Sequence, residues 1–189
     1  MAKQMLPAIT LRYFYTCIFS VLIFACISTR VFSQSSKDYL NLVVDKSSGK
    51  YGYVNALGDT VIPFGKYSAC FTDKFDKLAI VFVKERGFIG IDRNENILFN
   101  VFVFDNGPDY PSDGLFRIVK DGKIGYANLD GKIVIQPKFD CAYPFKHGNA
   151  KVSNDCKTET HGEHHSWTSK RWSIINKQGQ PVRKYVTRK

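Results

Sequence analysis

The sequence predicts an all-β fold of about three to four tandem hairpin repeats, on three observations. The first is self-similarity: KYGYVNALGDTVIPFGKYSACF, starting at Lys50, and KIGYANLDGKIVIQPKFDCAYPF, starting at Lys123, share one frame. Gly52 matches Gly125, Gly58 matches Gly131, Pro63 matches Pro137, and Tyr67 falls within two residues of Phe139. The second is the pattern inside that frame, in which short runs rich in β-branched and aromatic residues are broken by Gly, Asn and Asp at turn spacing. The third is composition: 189 residues, 44% hydrophobic and 14% aromatic, supply the core of one domain beside a targeting segment.

In chain order, residues 1–33 stand apart. Lys3 and Arg12 precede an uncharged apolar run from Tyr13 to Ile27. A secretory leader needs an apolar core of about 7 to 15 residues and a spanning helix about 20, so the run reads as a signal helix. Val31 and Ser33 suit a cut before Gln34. The alternative is a lipoprotein box ending at Cys26, against which bulky Phe24 stands where such boxes hold a small residue. Membrane attachment is expected only if Cys26 is lipidated or the leader is retained. The mature chain, residues 34–189, then keeps Cys70, Cys141 and Cys156. These permit at most one internal disulfide, and read equally well as small buried or loop residues.

Each repeat opens with a strand, KYGYVN in the first unit. It turns at ALGD or LDGK, where Gly takes positive φ, and returns along TVIP or KIVIQP to a closing Pro. An aromatic-bearing arm follows, YSACF or FDCAYPF, and then a third strand, LAIVFVK, LFRIVK or NAKV. Asp121-Gly122 is a hairpin signal that joins the third strand of one unit to the first strand of the next. The expected result is a continuous antiparallel meander, either an open twisted sheet or part of a propeller. Two weaker copies complete the set. Phe88 to Phe99 places Gly90 and Asn96 at the two glycine positions, and Arg171 to Val182 places Ser173 and Gly179 there. The units run approximately over 50–83, 85–119, 121–153 and 170–186, with an insertion at about 154–169.

At these positions the chain resembles the WG or KWG repeat proteins of bacteria, whose units read roughly G-K-W/Y-G-Y/F-I-D/N-x-x-G-x-x-V-I-x-P-x-F/Y-D-x-A-x-x-F-x-x-G-L-A-x-V. The third unit carries Gly122, Lys123, Gly125, Tyr126, Asn128, Gly131, Ile135, Pro137, Phe139, Asp140, Ala142, Phe145, Gly148, Ala150 and Val152 of that pattern. The family's Trp is replaced by Tyr51, Ile89 and Ile124 in the first three units and kept as Trp172 in the fourth. The second unit also departs, with the arm FVFDNGPDYPSDGLF. The resemblance implies a β-rich module, often exported or joined to other domains, without shared catalytic residues.

Three segments carry candidate chemistry. His161, His164 and His165, with Cys156 nearby, are ligand types for zinc or copper. The spacing H-x-E-H-H is no established ligand motif, however, and adjacent histidines on an extended chain point apart, so the segment reads as a polar surface hairpin. Asp105 to Gly114 gathers three acids among turn-forming residues, but lacks the alternate spacing of a calcium loop and reads as a surface loop. Ser169 to Lys189 holds seven basic residues and no acid, whereas 35–168 is balanced at 17 of each sign and the whole chain carries +10. A basic tail can meet an anionic envelope polymer. Nucleic acid is not expected, since no recognised nucleic-acid module precedes the tail. The recurring aromatics Tyr53, Tyr67, Phe71, Tyr126, Phe139 and Phe145 are expected in the core.

The expected function is therefore an exported, non-enzymatic repeat module that binds another protein or a cell-envelope component, with no catalytic, cofactor or metal site assigned. The rival is a metal-dependent or carboxylate-based hydrolase using the 105–114 loop or the histidine insertion. That rival requires the two segments to converge on one surface.

Overall fold

The structure, a computed structural model, describes residues 38–161 and 164–186. The readings for residues 1–33, including Cys26, lie outside the described residues. In chain order the strands are β1 (Leu40–Val44), β2 (Tyr51–Val54), β3 (Thr60–Ile62), β4 (Ala69–Cys70), β5 (Lys74–Phe75), β6 (Ala79–Val83), β7 (Gly87–Ile91), β8 (Ile97–Val101), β9 (Val103–Phe104) and β10 (Gly107–Pro108). They continue as β11 (Leu115–Lys120), β12 (Lys123–Asn128), β13 (Ile133–Phe139), β14 (Cys141–Ala142), β15 (Asn149–Ser153), β16 (Cys156–His161), β17 (His164–Ser169), β18 (Arg171–Asn176) and β19 (Pro181–Val186). No helix occurs among the described residues, and every strand pairing among them is antiparallel.

The third strand of each unit pairs with the first strand of the next, as the Asp121-Gly122 signal predicts: β6 with β7, β11 with β12, and β15 with β18. Asp121 and Gly122 both take positive φ, at 51° and 71°, as a two-residue hairpin turn of the primed type requires. The all-β meander of tandem hairpin repeats is present, but divided among several sheets instead of running as one. The strands divide into sheets ordered β3-β2-β1-β5, β13-β12-β11-β8-β7-β6-β4 and β14-β15-β18-β19, with two separate hairpins, β9-β10 and β16-β17. The arms break the meander. In the first and third units the arm folds back onto its own third strand, β4 on β6 and β14 on β15, instead of pairing with the strand before it.

The hairpin turn between first and return strands recurs four times with one hydrogen-bond scheme. A leading Asn or Asp side chain accepts from two backbone N–H groups across the turn. Asn55 takes those of Leu57 and Asp59, Asp92 those of Asn94 and Asn96, Asn128 those of Asp130 and Lys132, and Asn176 those of Gln178 and Gln180, all at 2.9–3.1 Å. The fourth turn residue has positive φ, and a bulge resets the register beyond it. This is the three-residue hairpin loop closed by a left-handed residue.

The scheme corrects the reading of the second unit by one residue. Its left-handed residue is Glu95, at φ 62°, and not Asn96. Counting back from Asp92, Gly90 stands at the position of Tyr53 and Tyr126, Ile89 at that of Gly52 and Gly125, and Phe88 at that of Tyr51 and Ile124. The second unit therefore keeps an aromatic at the family's Trp position. A Cβ on Gly90 would lie 2.4 Å from the Phe99 ring, so Phe99 occupies the space that tyrosine fills elsewhere.

Gly125 is required for a different reason. A Cβ there would come 2.4 Å from the Ile135 carbonyl oxygen and 2.5 Å from the Pro137 nitrogen, both backbone atoms of the return strand. Gly125→Ala is expected to cost about 3 kcal/mol, at the upper end of overpacking penalties. Gly122→Ala meets open space and should cost only the left-handed backbone penalty, about 1–2 kcal/mol. Urea unfolding of the two variants checks the order, and equal losses would refute the packing argument.

Among the described residues the interior comprises three clusters. One gathers Leu40, Tyr53, Ile62, Phe75 and Val81, another Tyr126, Ile135, Phe139, Phe145 and Val152, and a third Leu78, Phe99, Phe116 and Ile118. Tyr53 and Tyr126 are fully buried with equivalent surroundings. Their hydroxyls donate to the arm carbonyls of Thr72 (2.9 Å) and Tyr143 (2.7 Å), and their rings meet Phe75 and Phe145 edge-on at 5.4 and 4.7 Å. Burial raises the pKa of both phenols, so they remain donors. Phe71 is not core: it is 43% exposed and packs edge-on against Phe88 at 5.3 Å. Cys70 is buried, and burial pushes its thiol up to about 11. It should resist iodoacetamide at pH 8 in the native chain and react once urea unfolds it. Rapid native labelling, read by mass spectrometry, would contradict this.

Candidate functional site

The sheet β14-β15-β18-β19 has two unlike faces. Ala142, Ala150, Val152 and Ile175 turn into the core cluster of Tyr126 and Phe145. On the alternating positions, Tyr143, Lys151 and Trp172 share the other face, Tyr143 donating its N–H to the Lys151 carbonyl at 2.9 Å. The Lys151 ammonium lies 4.2 Å from the Trp172 ring centroid and 5.5 Å from that of Tyr143, and the Tyr143 and Trp172 rings are 5.6 Å apart. Trp167, from β17 of the insertion, meets Tyr143 edge-on at 5.3 Å and reaches Phe102 at 6.0 Å.

Phe102 belongs to the second unit's unusual arm, and a buried ion pair holds it there. The Arg117 guanidinium lies 4.2 Å from the Phe102 ring centroid and 5.5 Å from that of Phe104. Arg117 and Asp109 are each about 3% exposed at the side chain. The Asp109 carboxylate accepts from the Arg117 backbone N–H (2.7 Å), its Nε (3.0 Å) and its Nη2, while Nη1 donates to the Ala142 carbonyl at 3.2 Å. A buried pair with this many partners is the arrangement in which two charges are tolerated away from water. Beyond it the β9-β10 hairpin exposes Val103 and Phe104, with Tyr110 following.

The insertion is tied to the same sheet at its base. A disulfide joins Cys141 of β14 to Cys156 of β16, with the Cα atoms 6.1 Å apart. Beside it Asp155 accepts from Ser153, Ser169 and Arg171 Nε (3.0 Å). Its carboxyl is held below the usual range by the Ser169 hydroxyl first and the Arg171 guanidinium next.

The candidates read from the sequence fare as follows. The histidine segment is a two-stranded hairpin whose backbone pairs His161 with His164 and Thr160 with His165. Cys156 is committed to its disulfide and is not available as a thiolate ligand. The acids of the 105–114 loop do not converge. Asp109 is buried on Arg117, Asp113 accepts from the Gly148 N–H at 2.7 Å, and exposed Asp105 sits with positive φ at the turn between β9 and β10. The two departing segments do meet, through Phe102 and Trp167, whose rings are half-buried against the cluster of Tyr126 and Phe145. Sequence reasoning left this face unassigned. The available signal was that both of the chain's tryptophans lie outside the two strongest repeats.

The family model described as WG containing repeat matches residues 51–85 and 124–157, the first and third units. No curated protein and no solved structure matches the chain.

Proposed function

We propose that this chain, a WG repeat-containing protein, is an exported, non-catalytic module that binds another macromolecule through the aromatic and cationic face of its last sheet. The observation that carries the reading is that exposed Tyr143 and Lys151 stand over buried Trp172, with half-buried Phe102 and Trp167 beside them. Tyr and Trp are enriched at interface centres, and Lys151 adds a cation held over the rings. Export is supported by the leader pattern in residues 1–33 and by the Cys141–Cys156 disulfide, which persists in oxidising compartments. The natural partner class is a protein or a cell-envelope component.

Both tryptophans belong to this face, so tryptophan emission reports on it alone. Envelope fractions from the source organism, titrated into the mature chain, should blue-shift the emission and shield it from acrylamide. The response should vanish in a Tyr143→Ala, Lys151→Ala double variant of unchanged fold. Emission and quenching that stay constant would take this face out of the reading.

A further inference from the structure

A cleft of about 480 Å³ opens between the end of β13 and the strands β15, β18 and β19. It lies apart from the Tyr143–Trp172 face, and its volume falls in the range of small-ligand sites. Its floor is apolar, from Phe139, Ile175 and Pro181. Lys138 and Arg171 bring positive charge to the rim, and Asn154 and Ser173 bring neutral donors and acceptors.

The charges at the rim are unequal in what they leave free. Asp155 also lines the cleft, but its carboxylate is already engaged by Ser153, Ser169 and Arg171. Arg171 Nε is used in that contact, leaving its terminal nitrogens, and the Arg171 side chain is 82% exposed. Lys138 has no carboxylate partner among the described residues, its ammonium lying 5.2 Å from the ring centroid of Phe139. The cleft thus offers a free cation, a half-committed guanidinium, an amide and a hydroxyl above an apolar floor. A bare inorganic anion would leave the floor unused, and a neutral apolar ligand would leave Lys138 and Arg171 unanswered. A sugar acid satisfies both: its carboxylate meets Lys138 and the outer nitrogens of Arg171, its hydroxyls meet Asn154 and Ser173, and the C–H face of its ring covers the floor.

We propose that this cleft between the third and fourth units binds an acidic saccharide residue, at a site independent of the aromatic face. Isothermal titration of the mature chain with trigalacturonate, its methyl ester, a glucuronate-containing tetrasaccharide and inorganic phosphate tests this. At least one acidic saccharide is expected to bind, with the methyl ester and phosphate at least tenfold weaker. Lys138→Glu should weaken binding at least tenfold while circular dichroism stays unchanged. Tyr143→Ala should leave binding intact, which separates this site from the proposed macromolecular face. Failure of both acidic saccharides, equal affinity for the methyl ester or phosphate, or indifference to Lys138→Glu would overturn the assignment.

Discussion

Arg117→Leu is expected to lower the stability of the chain by about 3–5 kcal/mol, the cost of removing one partner of a buried ion pair. The loss is large because Asp109 stays buried with its negative charge and loses two of its three donor contacts, those from Nε and Nη2. The Ala142 carbonyl loses a donor in the same step. The double variant Asp109→Leu, Arg117→Leu should recover most of the loss, because replacing both charges with apolar side chains removes the uncompensated group. Urea midpoints of the three chains settle the matter. If the single variant does not fold, the double variant still carries the test, and a double variant no more stable than the single one would refute the account.

The second large effect concerns the Cys141–Cys156 disulfide. It closes a 15-residue separation, for which the chain-entropy account gives about 3 kcal/mol. Cys141→Ala, Cys156→Ala should lose about that much, and dithiothreitol should destabilise the natural chain by the same amount while leaving the variant unchanged. The effect should reach the aromatic face, since the bond ties the base of the insertion that carries Trp167 to the arm that carries Tyr143. Reduction is therefore expected to shift tryptophan emission before global unfolding. An emission spectrum indifferent to reduction would mean that packing alone holds Trp167 in place.

How much of this was legible in the sequence depends on the range of the interaction concerned. The turns were legible because their determinants are local: an Asn or Asp and, three residues on, a residue in left-handed backbone conformation lie within one pentapeptide. Hairpin partners followed from them. The second unit was read one residue out of place because Gly90 resembles the repeat glycine by letter, while its role is to admit the Phe99 ring. Nothing local marks that difference. The division into separate sheets was hidden for a similar reason, since an arm of two paired residues is too short to show a period. The aromatic face joins Phe102, Tyr143, Trp167 and Trp172 from four separate elements, and only the fold brings them together. Arg117 gave no warning either: it stands in the apolar strand LFRIVK, and its partner lies across an irregular arm.

The pairing of β6 with β7, of β11 with β12 and of β15 with β18 means that the third strand of each repeat is joined to the first strand of the next. The boundaries of the sequence repeat thus fall inside the sheets and not between them. On the ribosome, the third strand of the first or third unit has only its own short arm to pair with until the following copy appears, so completion of its sheet lags synthesis by part of a repeat. For the growth of such chains by duplication the same offset is an advantage. A new copy inserted at any repeat boundary receives a waiting strand on one side and supplies one on the other, and the array lengthens without a new kind of joint.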